Sequence, residues 1–164
     1  MRYIATALVL TVLLPAVSVR GQEKNGDHTP PTDQQVIELV GKDFAQVFAR
    51  FGTPADVVAV SGPKGALETV LDFGTFGFNV QNKKVRICQF WSNWPGTVDG
   101  IKLGTPIDDV VQKLGKPVLV EKDANGAERQ FWELKGVKLL IYFDISKDRK
   151  ANRAVVKPYD NVKK

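Results

Sequence analysis

The sequence predicts an α+β protein made of two tandem modules, each a short helix packed on a four-stranded antiparallel sheet. Two observations carry that expectation. Residues 41–54 (GKDFAQVFARFGTP) and 104–117 (GTPIDDVVQKLGKP) align without a gap at a constant offset of 63 positions. Each is followed by four short strand-like runs joined by turn signals. The apolar positions also coincide: Phe44, Val47, Phe48 and Phe51 in the first copy match Ile107, Val110, Val111 and Leu114 in the second. A spacing of i, i+3, i+4, i+7 puts each set on one side of a helix of about three turns, a side that must be buried.

Ahead of the repeat, Arg2 and the apolar run IATALVLTVLLPAV at residues 4–17 lead into Ala16 and Ser18, an Ala-x-Ser arrangement. That is the form of a secretory signal peptide, here assigned to residues 1–21. A helix that spans a bilayer needs about 20 apolar residues, and Pro15 interrupts this shorter run. The chain is therefore expected to be exported, periplasmic or secreted, with no transmembrane span after cleavage. No cysteine follows the apolar run, so a lipid-modified mature N-terminus is not expected. Cleavage removes Arg2 and Arg20 and no acid, which lowers the net charge from +5 to +3. Residues 22–31 (QEKNGDHTPP) are polar, lack periodicity and read as a flexible leader.

The first module is assigned to residues 32–94 and the second to 95–157, with a basic tail over 158–164. In the first, the strand-like runs are DVVAVS, ETVLDF, TFGFNV and VRICQFW. In the second, they are VLVE, RQFWEL, VKLLIYFD and RAVV. Short links such as Asn125-Gly126 favour hairpins and antiparallel pairing. Thr105 is placed to cap the second helix, with Pro106 at its first position and Asp108 and Asp109 at its positive end. Gly115 supplies the left-handed residue that ends it, and Lys116-Pro117 launches an extended segment. Cys88, the single cysteine, rules out an internal disulfide and reads as a small buried hydrophobe. Without a staple, the fold must rest on its core.

Several chemistries are excluded by residue type. The only histidine, His28, falls in the leader, so a Ser-His-Asp or Cys-His constellation cannot be assembled in the modules. One cysteine and no histidine leave no zinc set there, and no glycine-rich phosphate fingerprint occurs. Asp108 and Asp109 are adjacent on a helix and do not converge; helix-end electrostatics accounts for them. No cofactor and no metal site are implied. Residues 144–164 carry seven Lys or Arg against three Asp, a weak basic field suited to solubility or to an anionic surface. Nucleic acid is not an expected partner.

The aromatic residues are the more suggestive feature. Phe90, Trp91 and Trp94 cluster in QFWSNWPG, and Phe131-Trp132 lies in a strand of the second copy. Neighbours on a strand point to opposite faces. One member of each Phe-Trp pair therefore meets the helix and the other meets the uncovered face. Tryptophans on that face would form an adhesive surface, with Arg86, Gln89, Arg129 and Lys138 available for polar contacts. Core packing competes for the same rings.

The glycine, the V-V-x-K-L helix, Gly-Lys-Pro, the hairpins and the G-V-x-L-x-I-x-F strand together resemble the superfamily of beta-lactamase inhibitor protein and the small outer-membrane assembly lipoproteins (SmpA/OmlA-like). Residues 104–143 carry the clearest match and residues 41–87 a looser one. The resemblance implies an exported protein of tandem α/β modules that works by contact with another protein, without catalysis. The lipobox cysteine of the assembly lipoproteins is lacking, and the doubled layout is nearer to the inhibitor's. The sequence-based expectation is thus an exported, non-enzymatic module that contacts a protein or cell-envelope partner through exposed sheet faces. Its candidate binding residues are Arg86, Phe90, Trp91, Trp94, Phe131 and Trp132. The alternatives are a carboxylate- or metal-dependent hydrolytic enzyme and a binder of anionic surfaces through the basic C-terminal segment.

Overall fold

A computed structural model describes residues 30–61, 65–122 and 126–159. The signal peptide expected at residues 1–21 and most of the expected leader lie outside these residues, as do the last five residues of the tail. The described chain is α+β. In order it forms helix α1 (Asp33–Ile37), helix α2 (Ala45–Phe51), strands β1 (Asp56–Ser61), β2 (Leu67–Asp72), β3 (Phe76–Gln81) and β4 (Lys84–Phe90). A small hairpin of β5 (Thr97–Val98) and β6 (Ile101–Lys102) leads to helix α3 (Ile107–Leu114). Strands β7 (Leu119–Lys122), β8 (Glu128–Glu133), β9 (Leu139–Ile145) and β10 (Ala151–Pro158) complete it.

The expectation of two separate four-stranded sheets is corrected here. All eight long strands belong to one antiparallel sheet, in the order β1-β2-β3-β4-β10-β9-β8-β7. The seam is the pairing of β4 with β10, in which Phe90, Gln89 and Cys88 lie opposite Ala154, Val155 and Val156. The physical reason is simple. A four-stranded meander ends in a strand with a row of unpaired amides and carbonyls, and each meander satisfies that row on the other. The first strands of the two runs, β1 and β7, are left as the outer edges.

The three helices serve a single core. Val36 of α1, Val47 of α2, and Ile107 and Val110 of α3 cluster with Phe78, Phe90, Trp132 and Phe143. Each fully buried ring or branched side chain contributes on the order of 2 kcal/mol of transfer free energy. Phe51 extends the core by packing its ring on Phe73, Phe76 and Phe78 at 5.1–6.0 Å between centroids. The helical stripes read from the repeat are present, though Phe48 is 38% exposed and sits edge-on to Phe44 at 5.8 Å outside the buried cluster.

Local signals explain the ends. Helix α1 starts at a capping box: Gln35 N–H donates to the Thr32 hydroxyl and Thr32 N–H to the Gln35 side chain. The α3 N-cap is Pro106 and not Thr105, whose hydroxyl instead donates to the Lys102 carbonyl at 2.6 Å. Gly115 ends α3 at φ 86°, as its position predicts. The β3–β4 turn holds Asn82 and Lys83 at φ 50° and 63°, and the β5–β6 turn holds Asp99 and Gly100 at 49° and 76°. Both are the primed two-residue turns whose twist suits a hairpin.

Candidate functional site

Alternation along the strands separates the two faces of the sheet. Phe76 and Phe78 enter the helix-covered core, so Gly77 and Asn79 between them face the opposite side. A row on that second face crosses every strand. Asp56, Asp72, Gly77, Gln89, Val155, Tyr142, Phe131 and Leu119 lie successively opposite one another from β1 to β7.

The structure assigns each predicted binding residue to a place. Phe90 is fully buried on the core face, with Trp94 edge-on to it at 4.9 Å. Trp94 itself is 4% exposed, and its Nε1 donates to the Thr97 carbonyl at 3.2 Å. Trp132 is 3% exposed and donates from Nε1 to the Gly115 carbonyl. Phe90, Trp94 and Trp132 are therefore corrected from binding residues to core residues. The cause is the apolar cover of the helix layer, together with backbone carbonyls that satisfy both indoles, Thr97 of β5 for Trp94 and Gly115 at the end of α3 for Trp132. The Phe-Trp pairs split as alternation requires, with Trp91 and Phe131 on the uncovered face. Phe131 is only 1% exposed there, because its neighbours lie over it. Arg86 is exposed at a bulge, where the register slips between Asn79↔Ile87 and Val80↔Val85.

On this second face two arrangements stand side by side. In the β2–β4 half, Gln89 Nε2 donates to Asn79 Oδ1 at 3.3 Å, and Asn79 Nδ2 donates to Glu68 Oε2 at 3.0 Å. Trp91 is half-buried over Gly77, in space that a side chain at position 77 would occupy. In the β8–β10 half, Asp144 accepts from Arg129 Nε at 3.0 Å and from Arg153 Nε at 2.7 Å. One carboxylate thus fixes two guanidinium planes on neighbouring strands. The Phe131 and Tyr142 rings lie 4.8 Å apart at 40°. Lys157 Nζ sits 4.8 Å from the Phe131 centroid and 5.5 Å from that of Tyr142, and Arg129 lies 5.9 Å from Tyr142. Burial raises the Tyr142 hydroxyl above its ordinary range, with the Asp144 charge adding to it. Burial lowers the Lys157 ammonium from its ordinary range.

Sequence reasoning named Arg129 and Gln89 as polar accessories. It missed Tyr142, Lys157, Asp144 and Arg153. The missed residues alternate with buried ones along β9 and β10, so the period of two is the signal that finds them. Among the described residues, no group of three or more His, Cys, Asp or Glu is placed to hold a metal ion. No described helix is long and apolar enough to cross a membrane.

No protein family's sequence profile matches the chain, and no curated protein matches it. Solved structures share its fold at low identity. An extracellular protein containing an SCP domain from Bacillus anthracis matches with a TM-score of 0.54 and 14% identity, over 83% of this chain and 49% of that one. This chain thus spans about half the length of that protein. The DUF4309 family protein YjgB of Bacillus subtilis matches with a TM-score of 0.51 and 18% identity, over 78% of this chain and 86% of that one. These likenesses define the fold class, an α+β protein with a large antiparallel sheet.

Proposed function

We propose that the protein is an exported, non-enzymatic binding module that holds a protein partner on the sheet face opposite its helices. One observation carries the reading: that face presents Tyr142 beside two arginines held by Asp144 in one half, and Trp91 seated over Gly77 in the other. These are the residue types that dominate protein–protein hot spots. Fixed guanidiniums and stacked rings lose little side-chain entropy on binding. The sheet face is a broad surface for contact, and the one buried acid among the described residues, Glu68, is tied to Asn79. Export is supported by the N-terminal sequence, and by the fold shared with a protein described as extracellular.

We further read the two halves of the sheet as a duplicated unit. The helix–meander order occurs twice, and the strand order runs symmetrically out from the β4–β10 seam.

A photoreactive residue placed at Arg129, compared with one at Gln46 on the helix side, tests the face in the cell envelope. Capture of a defined protein from position 129 alone, abolished by Tyr142→Ala with an unchanged circular dichroism spectrum, supports the reading. Equal capture from both positions, or capture that survives Tyr142→Ala and Arg153→Ala together, removes it.

A further inference from the structure

Strand β1 has the sequence of an internal strand and the position of an edge strand. Its residues, DVVAVS, place Val57 and Ala59 on the helix side, opposite Leu71 and Thr69, and Val58 and Val60 on the other side. Apolar residues on both faces mark a strand that is covered all round. Yet Val57 is 55% exposed and Val58 is 43% exposed. The exposure continues off the strand. Leu67 is 73% exposed and Phe48 38% exposed, and both line a cleft of about 340 Å³ with Phe44, Val57, Leu71 and Val80.

Native edge strands are normally blunted by lysine, proline, a bulge or brevity. Strand β1 has none of these: six residues pair with β2 in unbroken register, and Asp56 at its start is the only charge. The opposite edge is protected. Strand β7 has four residues, two of them Glu121 and Lys122. One open edge and one closed edge suit a partner that terminates assembly.

We propose that β1 pairs antiparallel with β1 of a second copy of this chain, about a two-fold axis through Ala59. The strand is self-complementary in that register. Ala59 meets Ala59, Val58 meets Val60, and Val57 meets Ser61, each pair on a common face, and no like charges are opposed. The two-fold also brings the two clefts together on the helix side, where Phe48 and Leu67 of both copies leave water. Such an isologous contact closes as a dimer. A head-to-tail union of β1 with β7 would propagate, and the charged, short β7 edge disfavours it. The dimer edge is distinct from the partner-binding face, so Tyr142→Ala leaves it intact.

The test uses the mature chain in analytical ultracentrifugation across the micromolar range. A dimer is expected. Val58→Lys converts it to monomer with unchanged circular dichroism, and Val120→Lys on β7 leaves it a dimer. Under oxidising conditions Ala59→Cys cross-links to itself, because directly opposed residues lie about 4.5–5.5 Å apart between Cα atoms, within disulfide reach. Val57→Cys does not cross-link. The native Cys88 is fully buried and does not interfere. A monomer at every concentration overturns the proposal, as does a dimer that Val58→Lys leaves whole. If Val58→Lys fails to fold, Ala59→Cys decides: a dimer without that cross-link excludes the β1 interface.

Discussion

The indole Nε1 of Trp132 donates to the backbone carbonyl of Gly115 at 2.8 Å, joining the centre of β8 to the end of α3. The last carbonyls of a helix have no partner within it. Trp132 thus fills the core and satisfies one of the groups that follow α3. Trp132→Phe keeps most of the volume and loses the bond, at a cost of about 1–3 kcal/mol. Trp132→Ala costs about 3–5 kcal/mol through the cavity. Urea unfolding with a constant m-value measures both, and equal losses for the two variants would contradict the separate role of the bond.

Gly77 and Trp91 are a coupled pair. The backbone at Gly77 is ordinary strand, so the requirement for glycine is steric: an added methyl runs into the Trp91 ring and comes within 2.7 Å of the Leu71 carbonyl oxygen. Gly77→Ala is expected to destabilise by about 1–3 kcal/mol. In a Trp91→Leu background the same change is expected to cost about 1 kcal/mol less, because the ring is gone while the contact with the Leu71 carbonyl oxygen remains. A double-mutant cycle reads this coupling, and additive effects would refute it.

Gln130 is 7% exposed, and its Nε2 donates to Glu128 Oε1, while its own Oε1 accepts from no group. A buried acceptor without a partner carries its full desolvation cost. Gln130→Met fills a similar volume without it and is expected to raise the unfolding free energy by about 1 kcal/mol. A lower thermal midpoint would show that the Glu128 contact matters more.

Stability is expected to fall in mild alkali, and Cys88 sets the onset. Burial drives its thiol far above the ordinary value of 9.0. Below that value both states hold the proton and the thiol adds no slope. Above it the unfolded chain ionises and the folded chain does not, so stability falls as pH rises. The loss reaches about 1.4 kcal/mol by pH 10. Tyr142 acts in the same direction above its ordinary value, and Lys157 acts in the opposite direction. Both are retained in Cys88→Ala, so the difference in slope isolates the thiol. Parallel stability curves for the two proteins between pH 8 and 10 would exclude this role.

The elements were legible where periodicity was strong. DVVAVS coincides with β1 and the other long strands lie within a few residues of their expected positions, because each is a β-rich run between turn residues. Two features were missed although their signals are present. Thr32 and Gln35 spell the capping box of α1, and Asp99-Gly100 spells the turn of the β5–β6 hairpin. What no local pattern encodes is the seam. Periodicity assigns residues to faces and is silent on which strand lies beside which, so β4 and β10 could not be paired from sequence. The same limit governed the candidate site. Alternation divided Phe90 from Trp91 and Phe131 from Trp132, but which member met the helices depended on the layer above. Asp144 joins Arg129 to Arg153 through pairing of β8, β9 and β10, a relation invisible until the strands are in register.

The seam also sets an order of events. Strand β10 pairs on one side with β9, its neighbour in the chain, and on the other with β4, more than 60 positions earlier. The first meander can close on local contacts alone. Its β4 border then stays open until residues 151–158 arrive, and β9 stays open with it. Closing so long a loop is slow relative to hairpin formation. A chain delivered N-terminus first therefore passes through a half-sheet with an adhesive border. Its refolding rate should respond to changes at Val155 and Val156 more through the final closure than through the early hairpins, and the interval before closure is when a chaperone would have something to hold.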